Sequence, residues 1–311
     1  MIKVAVLLGG NSTEREVSLK SGEAIYQNLD SKKYDKCKIE LPNDDSHDWV
    51  SELIDFAPDM VVSGLHGGVG ENGAIQGLLD SLNIPYVGSG TLASAVGMDK
   101  AVAKVLLQNA GIPVAKGAVF GSLADFETGK EKILAWGLPV VVKPNDGGSS
   151  VGVSIVKDAS GLSTAVQKAF ETSDEVLIEQ FVAGVEATCG VIETLDGLKA
   201  LDVYTIKTDN EFFDYDAKYS DNTEEKPADF PEEEIKQLQD LAVATFQATK
   251  CAGYGRVDFI LGDGGKKPIV LEINTLPGMT AQSFMPKMAR KYWTFSEFLD
   301  LLIVVEQNRK S

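Results

Sequence analysis

The sequence predicts an α/β protein in which a doubly wound parallel-sheet module is followed by two modules of mixed helix and strand. Three features carry that expectation. The chain opens on a continuous apolar run, Ile2 to Leu8, as a strand buried on both faces requires, and Gly9-Gly10 turns it toward a helix. Strand-like and helix-like segments then alternate as far as Gly88. Downstream, residues 254–280 contain two strand-like runs that place ionisable and amide groups where a sheet is usually apolar.

Taken in order, Thr13 and Glu16 have the spacing of a capping box, and the helix behind them carries Val17, Ala24, Ile25 and Leu29 near helical spacing. Met60-Val61-Val62 is a short strand leading into a glycine-rich loop, Leu65 to Gly73. A helix with Ile75, Leu78, Leu79 and Leu82 follows, and Ile84 to Gly88 resumes as strand. The second module begins with a helix capped by Asp99 that runs through Val102, Val105 and Leu106 to Gly111. It continues with the strand Val140 to Lys143, a turn from Pro144 to Ser150, and a strand from Val151 to Val156. Another strand starts near Val176. The polar stretch Thr208 to Phe230 is long for a structureless connection, so a mobile loop over an active site, residues 208–230, is expected there. The domains expected are 1–90, 91–178 and 179–311.

The bulk properties narrow the function. Hydrophobic residues make up 44 % and charged residues 24 %, ordinary for a soluble globular chain of 311 residues. A net charge of −17 argues against nucleic acid and anionic membranes as partners, and an anionic substrate would need a locally basic pocket. Glu224-Glu225 and Glu232-Glu233-Glu234 read as solvated faces without a function. Cys37, Cys189 and Cys251 are widely spaced and odd in number, as reduced thiols in the cytoplasm would be. They do not pair with His47 or His66 at zinc spacing. The apolar start lacks the longer core and cleavage site of a leader, and no segment has the length of a membrane span.

Several residue groups point to chemistry. Arg256 and Asp258 share one strand face, as do Glu272 and Asn274, and an all-oxygen set of Asp, Glu and Asn suits a hard cation such as Mg²⁺ beside phosphate. Each strand alone also fits a half-exposed polar face; two of them before Pro277-Gly278 favour the metal. Gly147 to Gly152 can bring backbone N–H groups and serine hydroxyls to a phosphate, or can be a plain hairpin. Lys143 just before it offers a point charge, or snorkels into solvent. Glu179 and Glu186 bracket a hinge that could read an adenine edge and ribose hydroxyls, or simply join two domains. Glu14 at a helix start and His66 after a strand both lie at the sheet edge where open α/β sheets bind ligands.

Together these segments form a wider pattern. Leu7-Leu8-Gly9-Gly10-Asn11-Ser12-Thr13-Glu14-Arg15-Glu16-Val17-Ser18, Leu65-His66-Gly67, Gly88-Ser89-Gly90, Met98-Asp99-Lys100, Val142-Lys143-Pro144 and Gly148 to Gly152 belong to it. So do Asp214 to Tyr219, Gly255 to Asp258 and Glu272 to Thr280. Over nearly its whole length the chain resembles the D-alanine–D-alanine ligases of the ATP-grasp superfamily. The resemblance implies an N-terminal parallel-sheet domain and two α+β domains that clasp ATP. It also implies a cytoplasmic homodimer that joins two D-alanines through an acyl phosphate for peptidoglycan synthesis.

It further implies roles residue by residue. Asp258, Glu272 and Asn274 match ligands of two Mg²⁺ ions, with Mn²⁺ a substitute. Lys100, Lys143, Ser149, Ser150 and Lys218 match nucleotide contacts; Glu179, Gln180, Phe181, Val182 and Glu186 match adenine and ribose contacts. Glu14 and His66 match the first D-alanine site, Arg256 and the Gly278 N–H the oxyanion stabilisers, and Ser283 with Phe284 the second-substrate pocket. Ser149, Glu14 and Tyr219 match a hydrogen-bonded trio that ties the loop down. Gln180, Phe213, Asn72 and Phe284 depart from residues common in the family. The rivals are a D-alanyl-D-serine or D-alanyl-D-lactate ligase, with Tyr219 speaking against lactate; another ATP-grasp ligase; and a catalytically dead nucleotide-binding regulator.

Overall fold

The computed structural model describes residues 1–44, 46–148, 151–208, 223–262 and 267–309. Strand β1 (Ile2–Gly9) lies in parallel between β2 (Tyr34–Leu41) and β3 (Met60–Ser63). Val4, Ala5, Val6 and Leu7 are all 0 % exposed, as the apolar run requires of a strand covered on both faces. The predicted strand at Ile84–Gly88 contributes only a single parallel bridge, Tyr86 with Val61, because Pro85 has no N–H to extend a ladder.

Helix α1 (Arg15–Asn28) forms without the predicted capping box, since Glu14 holds the N-cap position and its side chain makes no capping hydrogen bond. Ser12 takes up the turn instead: its Oγ accepts from the Glu14 N–H at 3.2 Å and donates to the His66 carbonyl at 2.5 Å. After α2 (Asp48–Phe56), α3 (Ala74–Leu82) and α4 (Thr91–Met98) comes α5 (Lys100–Asn109), capped as expected by Asp99, which accepts from the Val102 N–H at 2.9 Å. The face of α5 differs from the expectation. Val102, Val105 and Leu106 are exposed, whereas Ala103, Lys104 and Leu107 are buried.

The central sheet is antiparallel, ordered β4 (Gly117–Phe120), β7 (Val176–Gln180), β5 (Val140–Pro144), β6 (Ser154–Val156). Strand β6 starts at Ser154 rather than Val151. Helices α6 (Leu123–Leu134) and α7 (Leu162–Phe170) supply Phe126, Ile133, Leu162 and Val166 to this module's core.

A second antiparallel sheet runs β10 (Thr223–Pro227), β9 (Gly197–Thr208), β8 (Gly184–Thr194), β11 (Tyr254–Gly262), β12 (Ile269–Asn274). Part of the predicted 208–230 loop is therefore strand, because Thr223–Pro227 pairs back onto Tyr204–Thr208; residues 209–222 lie outside the described residues. Helix α8 (Glu232–Ala248) packs on this sheet through Leu238, Ala242 and Phe246. Its three N-terminal glutamates stand in the first turn, where negative charge favours the helix dipole. The chain closes with α9 (Phe284–Ala289) and α10 (Phe295–Arg309). Phe298, Leu302 and Ile303 of α10 share one core with Leu7 and Ile25, so the end of the chain seals its first module. No helix among the described residues is long and apolar enough to cross a membrane.

Candidate active site

The three sheets meet around a cleft of about 800 Å³. Strands β11 and β12 form one wall, and their antiparallel register sets Arg256 opposite Asn274 and Asp258 opposite Glu272. Like charges directly opposite one another destabilise a strand pair, so this register needs cations. Arg256 supplies one, donating from Nε to Asp258 Oδ1 at 2.9 Å and from Nη2 to Oδ2 at 2.8 Å. Asp258 also accepts from Asn274 Nδ2 at 3.0 Å and from Thr188 Oγ1 at 2.6 Å. Lys100 stands 3.6 Å from Glu272. Burial disfavours the Arg256 cation, but its ion pair with Asp258 outweighs that and holds its pKa above the ordinary value. Among the described residues no three His, Cys, Asp or Glu side chains gather as a metal cluster. The candidate set is two carboxylates and an amide, an all-oxygen donor set that could hold Mg²⁺ beside phosphate.

The central sheet forms the opposite wall. Lys143 on β5 and Glu179 on β7 both line the cleft, with Lys143 Nζ 2.5 Å from Glu179 Oε2. Lys104 on α5 reaches the other oxygen, Oε1. Burial alone would raise the Glu179 pKa, but the ammonium groups of Lys143 and Lys104 outweigh it and hold the carboxyl below its usual range. Burial also lowers the pKa of Lys104, against the opposing pull of Glu179. Lys100 donates to the Gly147 carbonyl at 2.5 Å, tying α5 to the glycine turn. Gln180, Phe181, Val182 and Glu186 line the cleft beyond Glu179. The Gln180 amide donates to the Trp136 carbonyl at 3.3 Å.

The third wall belongs to the N-terminal module. Glu14 enters the cleft from the start of α1, and its carboxylate passes between two loops. A Cβ added at Gly67 or at Gly148 would stand 2.9 Å from Glu14 Oε2, so glycine at both positions is what admits the carboxylate. His66, 7 % exposed, is 2.9 Å from Ser21 Oγ through Nε2 and 3.4 Å from Glu71 Oε1 through Nδ1. Ser21 also accepts from the Met279 N–H at 3.4 Å, which joins α1 to the turn after β12. Gly278 lies in that turn against Ser283, whose Oγ is 2.8 Å from Thr280 Oγ1 and accepts from the Thr280 N–H at 3.1 Å. Phe284 is buried against Tyr204, edge-on at 6.1 Å between ring centroids, and the Arg256 guanidinium sits 5.7 Å from its ring centre. Asn72 accepts from the Ala74 N–H at 3.0 Å and so braces the start of α3.

Sixteen of the expected site residues therefore line one cleft: Glu14, His66, Lys100, Lys143, Glu179 to Val182, Glu186, Arg256, Asp258, Glu272, Asn274, Gly278, Ser283 and Phe284. Ser149, Ser150, Lys218 and Tyr219, and the departure at Phe213, lie outside the described residues. The sequence reading missed Lys104, Thr188 and Ser21. It also gave Glu225 no part, yet Glu225 lines the cleft and pairs with Lys287 at 2.6 Å. For Lys104 a signal existed: it shares the face of Ala103 and Leu107, and a buried lysine demands an acidic partner.

Known proteins bear on this geometry. The family model described as D-ala D-ala ligase C-terminus matches residues 106–304, and that described as D-ala D-ala ligase N-terminus matches residues 3–58 and 47–89. A D-alanine–D-alanine ligase of Clostridium botulinum (strain Eklund 17B / Type B) is 42 % identical over 306 residues, covering 97 % of each chain. The structure of a D-alanine–D-alanine ligase from Bacillus anthracis complexed with ATP is similar with a TM-score of 0.84 at 35 % identity, covering 99 % of this chain and 98 % of that one. The VanG D-Ala:D-Ser ligase of Enterococcus faecalis gives a TM-score of 0.84 at 33 % identity, covering 98 % of this chain and 99 % of that one. The ATP-grasp architecture and its charged cleft have a family to match: the chain belongs to the D-alanine–D-alanine ligases.

Proposed function

We propose that this chain joins two D-alanines into D-alanyl-D-alanine at the expense of ATP, for peptidoglycan precursor synthesis. The observation that carries the reading is a single cleft faced by Lys100 and Lys143, by the opposed carboxylates Asp258 and Glu272, and by the Glu14 carboxylate. An anion-binding end, a hard-cation donor set and a partner for an amino acid's ammonium are three of the requirements of the reaction.

In this reading Glu14 receives the ammonium of the first D-alanine, and His66 lies near its carboxylate. That carboxylate attacks the γ-phosphorus of ATP, ADP leaves, and an acyl phosphate forms. The second D-alanine lies against Ser283 and Phe284; its amine, having lost a proton, attacks the acyl carbonyl. Arg256 and the Gly278 N–H meet the oxyanion of the tetrahedral intermediate, and its collapse expels phosphate. Lys100, Lys143, Ser149, Ser150 and Lys218 hold the nucleotide phosphates. Glu179, Gln180, Phe181, Val182 and Glu186 meet adenine and ribose, and Ser149, Glu14 and Tyr219 hold the loop closed. Asp258, Glu272 and Asn274 would hold two Mg²⁺ ions, or Mn²⁺ in their place, and when bound these neutralise charge on the phosphate oxygens. Domains at 1–90, 91–178 and 179–311, a cytoplasmic location and a homodimer belong to the same proposal.

The test is phosphate release from ATP with D-alanine, D-serine and D-lactate, each alone and in pairs. D-Alanine alone should sustain turnover. A requirement for D-serine or D-lactate as second substrate would move the assignment to a ligase of that product.

A further inference from the structure

Lys104 has no part in the proposed reaction, yet its charge is among the most deeply buried of the described residues. Its side chain is 7 % exposed, lies on the inward face of α5 and ends on Glu179 Oε1. Lys143 ends on Oε2 of the same carboxylate, which is itself 3 % exposed. One buried anion thus serves two buried cations. The charged groups acting on Lys104 are Glu179, Lys143 and, less strongly, Glu272.

With Lys143 as sole partner, any shift of its charge toward a nucleotide phosphate would strand the Glu179 carboxylate in a buried site. Breaking a buried ion pair by removing one partner is strongly unfavourable. We propose that Lys104 is a positioning residue for nucleotide binding: it keeps Glu179 partnered, and so leaves the Lys143 charge available to the phosphates. This rests on the reading of Lys143 as a nucleotide contact. Two lysines on one carboxylate also leave a net positive charge facing the cleft, which a single pair would not.

The arrangement demands a coupling that a double-mutant cycle can read. Lys104→Met should raise the KM for ATP about ten- to a hundredfold, the KM for D-alanine and kcat moving far less. In a Glu179→Gln background no buried anion needs a second partner, so adding Lys104→Met should shift the ATP KM by less than about twofold. Should Lys104→Met fail to fold, Lys104→Gln runs the same cycle, keeping an N–H donor while losing the charge. An equal loss of ATP affinity in both backgrounds, or a fall in kcat or melting temperature with the ATP KM unchanged, overturns the proposal. Lys143→Met separates the two readings. If it leaves the ATP KM unchanged, the nucleotide assignment itself fails. If it raises the ATP KM while Lys104→Met does not, only the role of Lys104 fails.

Discussion

The two halves of the cleft are organised by different forces. Between the central and C-terminal sheets, side chains are held by charge: Lys104 and Lys143 on Glu179, Lys100 near Glu272, and Arg256 on Asp258. Along the N-terminal wall the links are hydrogen bonds, from Glu71 through His66 and Ser21 to the Met279 N–H, and from Ser12 to the His66 carbonyl. The difference follows the ligands each half would take. Triphosphate and metal carry several charges, and compensating them takes buried ions. A small amino acid needs its two ends fixed in direction, which hydrogen bonds do at less desolvation cost. Variants in the charged half should therefore fail by orders of magnitude, and those in the hydrogen-bonded half by small factors.

The largest effect is expected at the opposed carboxylates. Asp258→Ala and Glu272→Ala should each lower turnover by about a thousandfold or more, since each removes a group proposed to hold the cation that screens phosphate charge. Circular dichroism should show the fold kept. Near-normal turnover of either variant at saturating Mg²⁺ would remove the metal assignment and with it half of the contrast.

Glu179 sharpens the contrast through pH. Its pKa is lowered in the folded chain, so between that value and the ordinary carboxylate range the unfolded chain binds more protons than the folded one. Stability from this group is then fully present above the ordinary carboxylate pKa and is lost as pH falls through the folded one. Glu179→Gln should flatten the acid limb of the melting-temperature profile. A profile that keeps its acid limb would mean that the buried triad is not what titrates.

In the hydrogen-bonded half, Ser21→Ala removes one bridging hydroxyl, worth about 1 kcal/mol, so the KM for D-alanine should rise roughly fivefold with the ATP KM little changed. A matching rise in the ATP KM would show that the two halves are not separable. Smallest is the expected effect of Tyr219→Phe. By the family resemblance it loses one loop-closing hydrogen bond, which should change the ratio of D-alanyl-D-lactate to D-alanyl-D-alanine by about severalfold. Competition between D-alanine and D-lactate across pH measures that ratio; an unchanged ratio in an active variant would turn attention to Phe284.

How much of the fold and the site is legible in the sequence follows the same division. Ile2 to Leu8 declares a doubly covered strand, and period-two alternation by itself aligns Arg256 with Asp258 and Glu272 with Asn274. What strand alternation cannot supply is cross-strand register, so the pairing of Asp258 with Glu272 emerges only from the folded sheet. Lys104 is hidden because the bulky Val102, Val105 and Leu106 suggest the wrong buried face for α5. Ser21 is a small polar residue inside a helix, and its value depends on His66 and Met279, which are distant in sequence. Thr223–Pro227 looks like loop because its glutamates resemble a solvated run, yet Glu225 has Lys287 as a partner.

In the proposed reaction ATP activates one D-alanine at its carboxylate, and the amine of another captures it. Turnover with ATP and D-alanine whose carboxylate oxygens both carry ¹⁸O follows that transfer atom by atom. D-Alanyl-D-alanine and inorganic phosphate should form in equal amounts, with one carboxylate ¹⁸O carried into each phosphate released. Dipeptide formed with unlabelled phosphate, or phosphate released without dipeptide, would contradict it.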